Sequence, residues 1–162
     1  MAKALDKPSL YDTDYVAWLS EQVAHLRAGR LAALDVANVA EELEGLLKNE
    51  RRQLENRSVE LILRLLKWDH APQQRSNRWR STVQRQRTHI RRLLRDSPSL
   101  RCGVERMCRA LYPEALGRAA IETRLSETAF QQTLPYTVEQ IFERELPAEE
   151  LPDQRPSRKK RS

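Results

Sequence analysis

The sequence predicts an all-α protein: a bundle of five to six helices built on a long antiparallel hairpin, about 36–68 and 77–95. Three observations carry this. Apolar residues make up 40% and glycine occurs only 4 times in 162 residues, too apolar for disorder and too poor in glycine for a loop-rich β protein. Apolar positions recur at spacings of three, four and seven along most of the chain. No run alternates convincingly with a period of two, and no internal repeat is visible.

The first helix is expected near Tyr11, with Asp12 and Thr13 as N-cap types. Tyr15, Leu19, Val23 and Leu26 recur at four, four and three residues, Trp18 lies one turn from Tyr15, and Gly29 stops the run. A connector from Arg30 to Leu34 leads to Asp35, the next N-cap type. From Val36 to about Trp68 the pattern continues through Val39, Leu43, Leu46, Leu54, Leu61, Leu65 and Trp68, thinning at Glu50 and Ser58. At 1.5 Å per residue this is a helix of roughly 50 Å. It must kink, near Asn56-Arg57-Ser58, or project and find a partner.

Ala71-Pro72 breaks the helix, because proline lacks the N–H and restricts the residue before it. Ser76 or Asn77 caps the next helix, which runs to about Arg95 with Trp79, Val83, Ile90, Leu93 and Leu94 on one face. The short connector makes these two helices neighbours. Ser97-Pro98-Ser99 reads as a cap and a first-turn proline opening a helix toward Ala110, which Pro113 kinks or restarts before it ends near Leu125. Thr137-Val138-Glu139-Gln140 reads as a capping box for a short helix with Ile141 and Phe142. Residues 1–147 thus read as a single helical domain, and 148–162 as a disordered basic tail.

Charge is unevenly spread under the net +6. Residues 1–50 hold 5 basic and 9 acidic side chains, whereas 51–101 hold 14 basic and 4 acidic. A basic stretch of this kind is either a solvated face or a polyanion surface. No window approaches the roughly 18 apolar residues of a membrane span, and no apolar leader is seen at the N-terminus. With Cys102 and Cys108 as the only cysteines, a reducing, cytoplasmic compartment is expected.

Several constellations resemble chemistry, and each has a simpler structural reading. Cys102 and Cys108 are six apart, off the spacing of zinc or redox pairs, and read as buried structural thiols. His25, His70 and His89 lie on three elements, and Glu21 and His25 form an i,i+4 surface pair. Asp12, Asp14, Glu41, Glu42 and Glu44 suit helix N-termini. Asp69-His70 is the nearest thing to a nuclease-like pair, and it lacks further ligands. Trp18, Trp68 and Trp79 coincide with apolar stripes, so they read as structural anchors rather than base-stacking platforms. With no glycine-rich phosphate loop, nucleotide binding of the P-loop or Rossmann type is excluded. No catalytic, cofactor or metal residue is assigned.

The arginines of the 77–95 helix are the informative cluster. Arg80, Arg87 and Arg91 flank one side of its apolar face, and Arg78, Arg85 and Arg92 flank the other. These six are the candidate polyanion-binding residues. They must meet phosphates or carboxylates, and Glu41, Glu42, Glu44 and Glu50 are available within the chain or across a dimer.

The order of motifs resembles a known family. Tyr11-Asp12-Thr13-Asp14, Trp18 and Glu41-Glu42-Leu43-Glu44 are followed by Lys67-Trp68, Pro72, Trp79 and Gln86-Arg87, then by Ser97-Pro98-Ser99-Leu100 and Pro135-Tyr136-Thr137. Across roughly residues 10–146 this is similar to the bacterial family of domain of unknown function 29. The resemblance implies an all-helical bacterial cytoplasmic protein and supplies no activity. Taken together, the residues favour a non-enzymatic helical protein-interaction module, homo-oligomeric, with a second copy or another protein as partner. The alternative is a nucleic-acid-binding regulator using the Arg-rich helix and the basic tail.

Overall fold

A computed structural model describes residues 9–147; the basic tail 148–162, with Lys159, Lys160 and Arg161, lies outside them. Six α-helices follow in order: α1 (Leu10–Thr13), α2 (Tyr15–Arg27), α3 (Val36–His70), α4 (Asn77–Asp96), α5 (Val104–Thr123) and α6 (Val138–Glu143). No strand occurs among the described residues. The fold is all-α. Contacts group the chain into two compact units, one ending at Asn49 and one beginning at Glu50.

In the first unit the N-cap is Ser9, not Asp12 or Thr13, and the helix breaks at Asp14. The Asp14 carboxylate accepts the Ala17 N–H at 3.0 Å, so it restarts the helix rather than continuing it. This is the usual competition of a short polar side chain with the backbone. Gly29, at φ +67°, supplies the left-handed residue that ends α2. Asp35 caps α3 by accepting the Asn38 N–H at 3.3 Å. The helices α2 and α3 run antiparallel here: Tyr15 donates to Glu42 near one end, and the Asp35 N–H donates to Gln22 near the other.

The second unit holds the packed core. From Ser58 to Trp68 nearly every residue of α3 is buried, including Leu61, Ile62, Leu63, Leu65 and Leu66. A helix apolar all round is one enclosed on all sides. Even Ser58, where the apolar pattern thins, is fully enclosed, and helical structure passes Asn56-Arg57-Ser58 without interruption. The helix α4 returns antiparallel: Lys67 lies 4.3 Å over the Trp79 ring, and Arg57 donates to Gln86 at 3.2 Å. The hairpin 36–68 and 77–95 is therefore formed, with bounds within two residues. Next, α5 runs in the same direction as α3, since Glu60 pairs with Arg118 and Lys67 with Glu122.

Two local expectations change. Pro98 opens a 3-10 turn through Arg101, and Gly103 at φ +84° then starts α5 at Val104, five residues later than Ser99. Pro113 sits inside an unbroken α5, which ends at Thr123 with Arg124 in the left-handed region. The capping box at Thr137 forms as expected: Gln140 N–H donates to Thr137 Oγ1 at 3.1 Å, and Thr137 N–H to Gln140 Oε1 at 2.9 Å.

Candidate functional site

The arginines of α4 divide into three kinds. Arg87 is buried, and its guanidinium spans the C-terminal end of α6, donating to the carbonyls of Gln140, Ile141 and Arg144. Burial pushes its pKa down to about 10, still charged at neutral pH. Arg80 donates to the Leu146 carbonyl at 2.7 Å and to Asn77 at 3.2 Å. These two are backbone clamps: Arg87 serves carbonyls at the end of α6, where helical partners run out, and Arg80 serves the Leu146 carbonyl just beyond it, tasks that a guanidinium's fork of donors suits. Arg91 pairs with Glu143 at 3.5 Å, and Arg92 with Asp96 at 3.6 Å. Arg78 and Arg85 are exposed. Thus the six sequence candidates do not form one surface, and two point into the protein.

Exposed arginines gather at one cleft instead. A depression of about 610 Å³ between α4, the Pro98 turn and α6 is rimmed by Arg91, Arg92, Arg95 and Arg101 over Ile90, Leu94 and Phe142. Among the described residues, Arg91 pairs with Glu143, and Arg92 and Arg95 pair with Asp96. In the first unit, Glu42 accepts hydroxyls from both Tyr11 and Tyr15 at 2.7 Å, and Glu44 pairs with Lys48. The tyrosine hydrogen bonds hold the Glu42 carboxyl below its ordinary range.

Asp69 forms a staple at the end of α3. It accepts the Tyr136 hydroxyl at 2.7 Å and both Arg144 nitrogens at 2.8 and 2.7 Å. Burial pushes its carboxyl up, but the hydrogen bonds from Arg144 and Tyr136 outweigh burial and hold it below the usual aspartate range. With both oxygens engaged, Asp69 is placed to tie chain segments together. Its neighbour His70 packs on Phe130, centroids 4.6 Å apart. Sequence reading missed Tyr136 and Arg144 as its partners, because nothing local ties them to a residue some seventy positions upstream.

The tryptophans and cysteines take different places. Trp18 is buried, donating to Asp35 at 3.2 Å beside Tyr11 and Tyr15. Trp68 is fully buried, with the Arg75 guanidinium 5.0 Å from its ring. Trp79 is half-buried beneath Lys67, whose ammonium bonds Glu122 at 2.5 Å. Cys108 is buried as expected, its thiol pushed up to about 11 by burial, but Cys102 is exposed rather than buried, because it falls in the turn ahead of α5. Among the described residues, no three His, Cys, Asp or Glu side chains gather to hold a metal ion. No described helix is long and apolar enough to cross a membrane.

Among the described residues, most of the exposed large hydrophobic side chains lie in the first unit. Val16, Leu19, Val23 and Leu26 recur at three, four and three residues on α2; Val36, Val39, Leu43 and Leu46 do the same on α3. All but Val39 are exposed, Val16 at 72% and Leu46 at 63%. Each stripe lies about a quarter turn from the residues that bond the partner helix, in the same rotational sense at 100° per residue. In an antiparallel pair, equal rotation away from the contact line places both stripes on one side. The result is a continuous aliphatic face. The register that repeats on both helices starts at Val16 and Val36, one residue after Tyr15 and Asp35.

The fold and these surfaces define a helical-bundle protein with an apolar helical face and a basic helix. The chain belongs to the family described as domain of unknown function DUF29, whose model matches residues 10–146. No curated protein matches the chain, and no solved structure does.

Proposed function

We propose that this chain is a non-enzymatic helical protein-interaction module of the bacterial cytoplasm, and that the aliphatic face of α2 and α3 is its docking element. One observation carries the reading: a contiguous row of exposed valines and leucines, where monomeric proteins rarely leave more than a few hundred Å² of apolar surface together. Such a row costs solubility unless something covers it. The test is a pull-down from native cytoplasm with nuclease treatment as control. Protein retained by the wild-type chain and lost from Leu43→Glu with Leu46→Glu supports the reading; identical retention by both opposes it.

A second reading rests on the arginines that stay exposed. Arg78, Arg85 and Arg92 recur every seven residues along α4, and Arg91, Arg95 and Arg101 rim the cleft beside them. This is the footprint of a phosphate-contacting helix. Salt separates the two. Phosphate contacts weaken steeply with log[salt], flattening by nearly one unit of slope per contact removed, whereas apolar docking does not. Arg85→Gln with Arg91→Gln and Arg92→Gln should lower nucleic-acid affinity under this reading and leave protein docking unchanged.

A further inference from the structure

We infer that the occupant of the aliphatic face is a second copy of the same hairpin, so that α2 and the Val36–Asn49 part of α3 from two chains close a four-helix bundle. The inference rests on the docking reading above and names its partner. Its first support is pattern. Two 3-4-3 stripes on one side of an antiparallel helix pair are half of a four-helix bundle, whose core is built from such positions on four helices. On α2 the register is Val16, Leu19, Val23, Leu26, alternating spacings of three and four that keep the four side chains on one seam.

The second support is what surrounds the stripes. Beside them stand Ser20 on α2 and Ala40 on α3, small enough for another helix to approach. By the helical wheel, Glu21, Glu41 and Lys48 fall on the opposite side of their helices. Apart from Arg27, which lies about 60° from the centre of the α2 stripe, a partner recognised through charge would find little on this face; one that is itself an aliphatic helix face fits it. The hairpin supplies such a face.

The third support is energetic. In the first unit Trp18 is the only buried hydrophobic residue described, so the hairpin has almost no core of its own. A segment of about 40 residues in that condition normally needs a disulfide, a metal or oligomerisation to hold together. The free cysteines both lie outside it, and no metal-holding cluster occurs among the described residues. The need is permanent, so its cover must be made whenever the chain is made. A second copy meets that condition by construction, and two-fold pairing of identical patches is the commonest assembly. Seven aliphatic side chains on the two stripes, with Leu47 beside them, expose an area on the scale of the roughly 800 Å² per partner that a stable interface buries.

The full-length chain is examined by light scattering and sedimentation across dilutions. A dimer is expected that survives about 1 M salt, since apolar contact is not screened. Leu43→Glu with Leu46→Glu should raise the dissociation constant by at least about a hundredfold, as should Val16→Glu with Leu19→Glu on the other helix. Leu43→Ala with Leu46→Ala, which keeps helix propensity, should weaken it less. Arg85→Gln with Arg91→Gln and Arg92→Gln should leave it unchanged. A wild-type chain that stays monomeric at about 100 µM, a concentration at which standard interfaces are occupied, overturns the inference. So does a dimer indifferent to both glutamate pairs. If that monomer still retains cytoplasmic protein through the face, the docking reading stands without the second copy; if it retains none, both fail.

Discussion

The two halves of α3 carry the same kind of residue to opposite ends. Leu43, Leu46 and Leu47 are at least half exposed, while Leu61, Leu63, Leu65 and Leu66, roughly four to six turns further along the same helix, are wholly enclosed. Their local signals already differ: Leu43, Leu46 and Leu47 stand among Glu41, Glu42, Glu44 and Lys48, whereas Leu61-Ile62-Leu63 and Leu65-Leu66 are broken only by Arg64. The company differs as well. The second half of α3 has α4, α5 and α6 around it, and the first half has the α2 hairpin on one side of it. Periodicity therefore marks which side of a helix is apolar, and the count of elements packed on it decides how much is covered.

The largest effect expected is in the enclosed half. Leu65→Ala should cost about 2–5 kcal/mol and Trp68→Ala about 3–5 kcal/mol, since both leave a cavity that the surroundings only partly fill. The same change at Leu43, read by urea unfolding in dilute protein, should stay within about 0.5 kcal/mol. Equal losses at Leu43 and Leu65 would erase the contrast. Trp79→Ala should fall below Trp68→Ala, because its ring is only half-buried and shares that burial with Lys67.

A smaller effect separates the arginines. Arg87→Met should cost about 1–3 kcal/mol, leaving the carbonyls of Ile141 and Arg144 without their donor, and should loosen α6 before the rest. Arg85→Gln, at an exposed position of the same helix, should be near neutral. Hydrogen exchange at the amides of α6 reads the difference directly.

The smallest is a matter of pH. Asp69 is held below the ordinary aspartate pKa of about 3.9, so the stability it contributes is fully present above that value and is lost as pH falls through its lower folded pKa. Asp69→Asn should be less stable than wild type at neutral pH, and the gap should narrow below about pH 4, where the wild-type carboxylate also begins to protonate. A gap that stays constant to low pH would show that the staple does not depend on charge.

Much of the helical layout was legible in the residues, for local reasons. Asp35, Ser76, Gly29 and the Thr137 capping box act through backbone groups within four residues, so their effect is written beside them. Where local signals competed, the reading slipped: Asp14 carried as strong a cap as Asp12 or Thr13, and Gly103 displaced Ser99 as the start of α5. The candidate surface was less legible. Arg80 and Arg87 look the same in the sequence as Arg78 and Arg85, because what claims them is the carbonyl end of a segment more than fifty residues downstream.

By itself the sequence determined that this protein is all-helical, where its long hairpin turns, and that its basic charge concentrates in one helix; each follows from propensity, capping and spacing over a few turns. Only the tertiary structure decided which leucines are enclosed and which stand open, and which arginines are spent on backbone carbonyls. Burial and long-range hydrogen bonds depend on how many elements converge on a side chain. No local pattern carries that number.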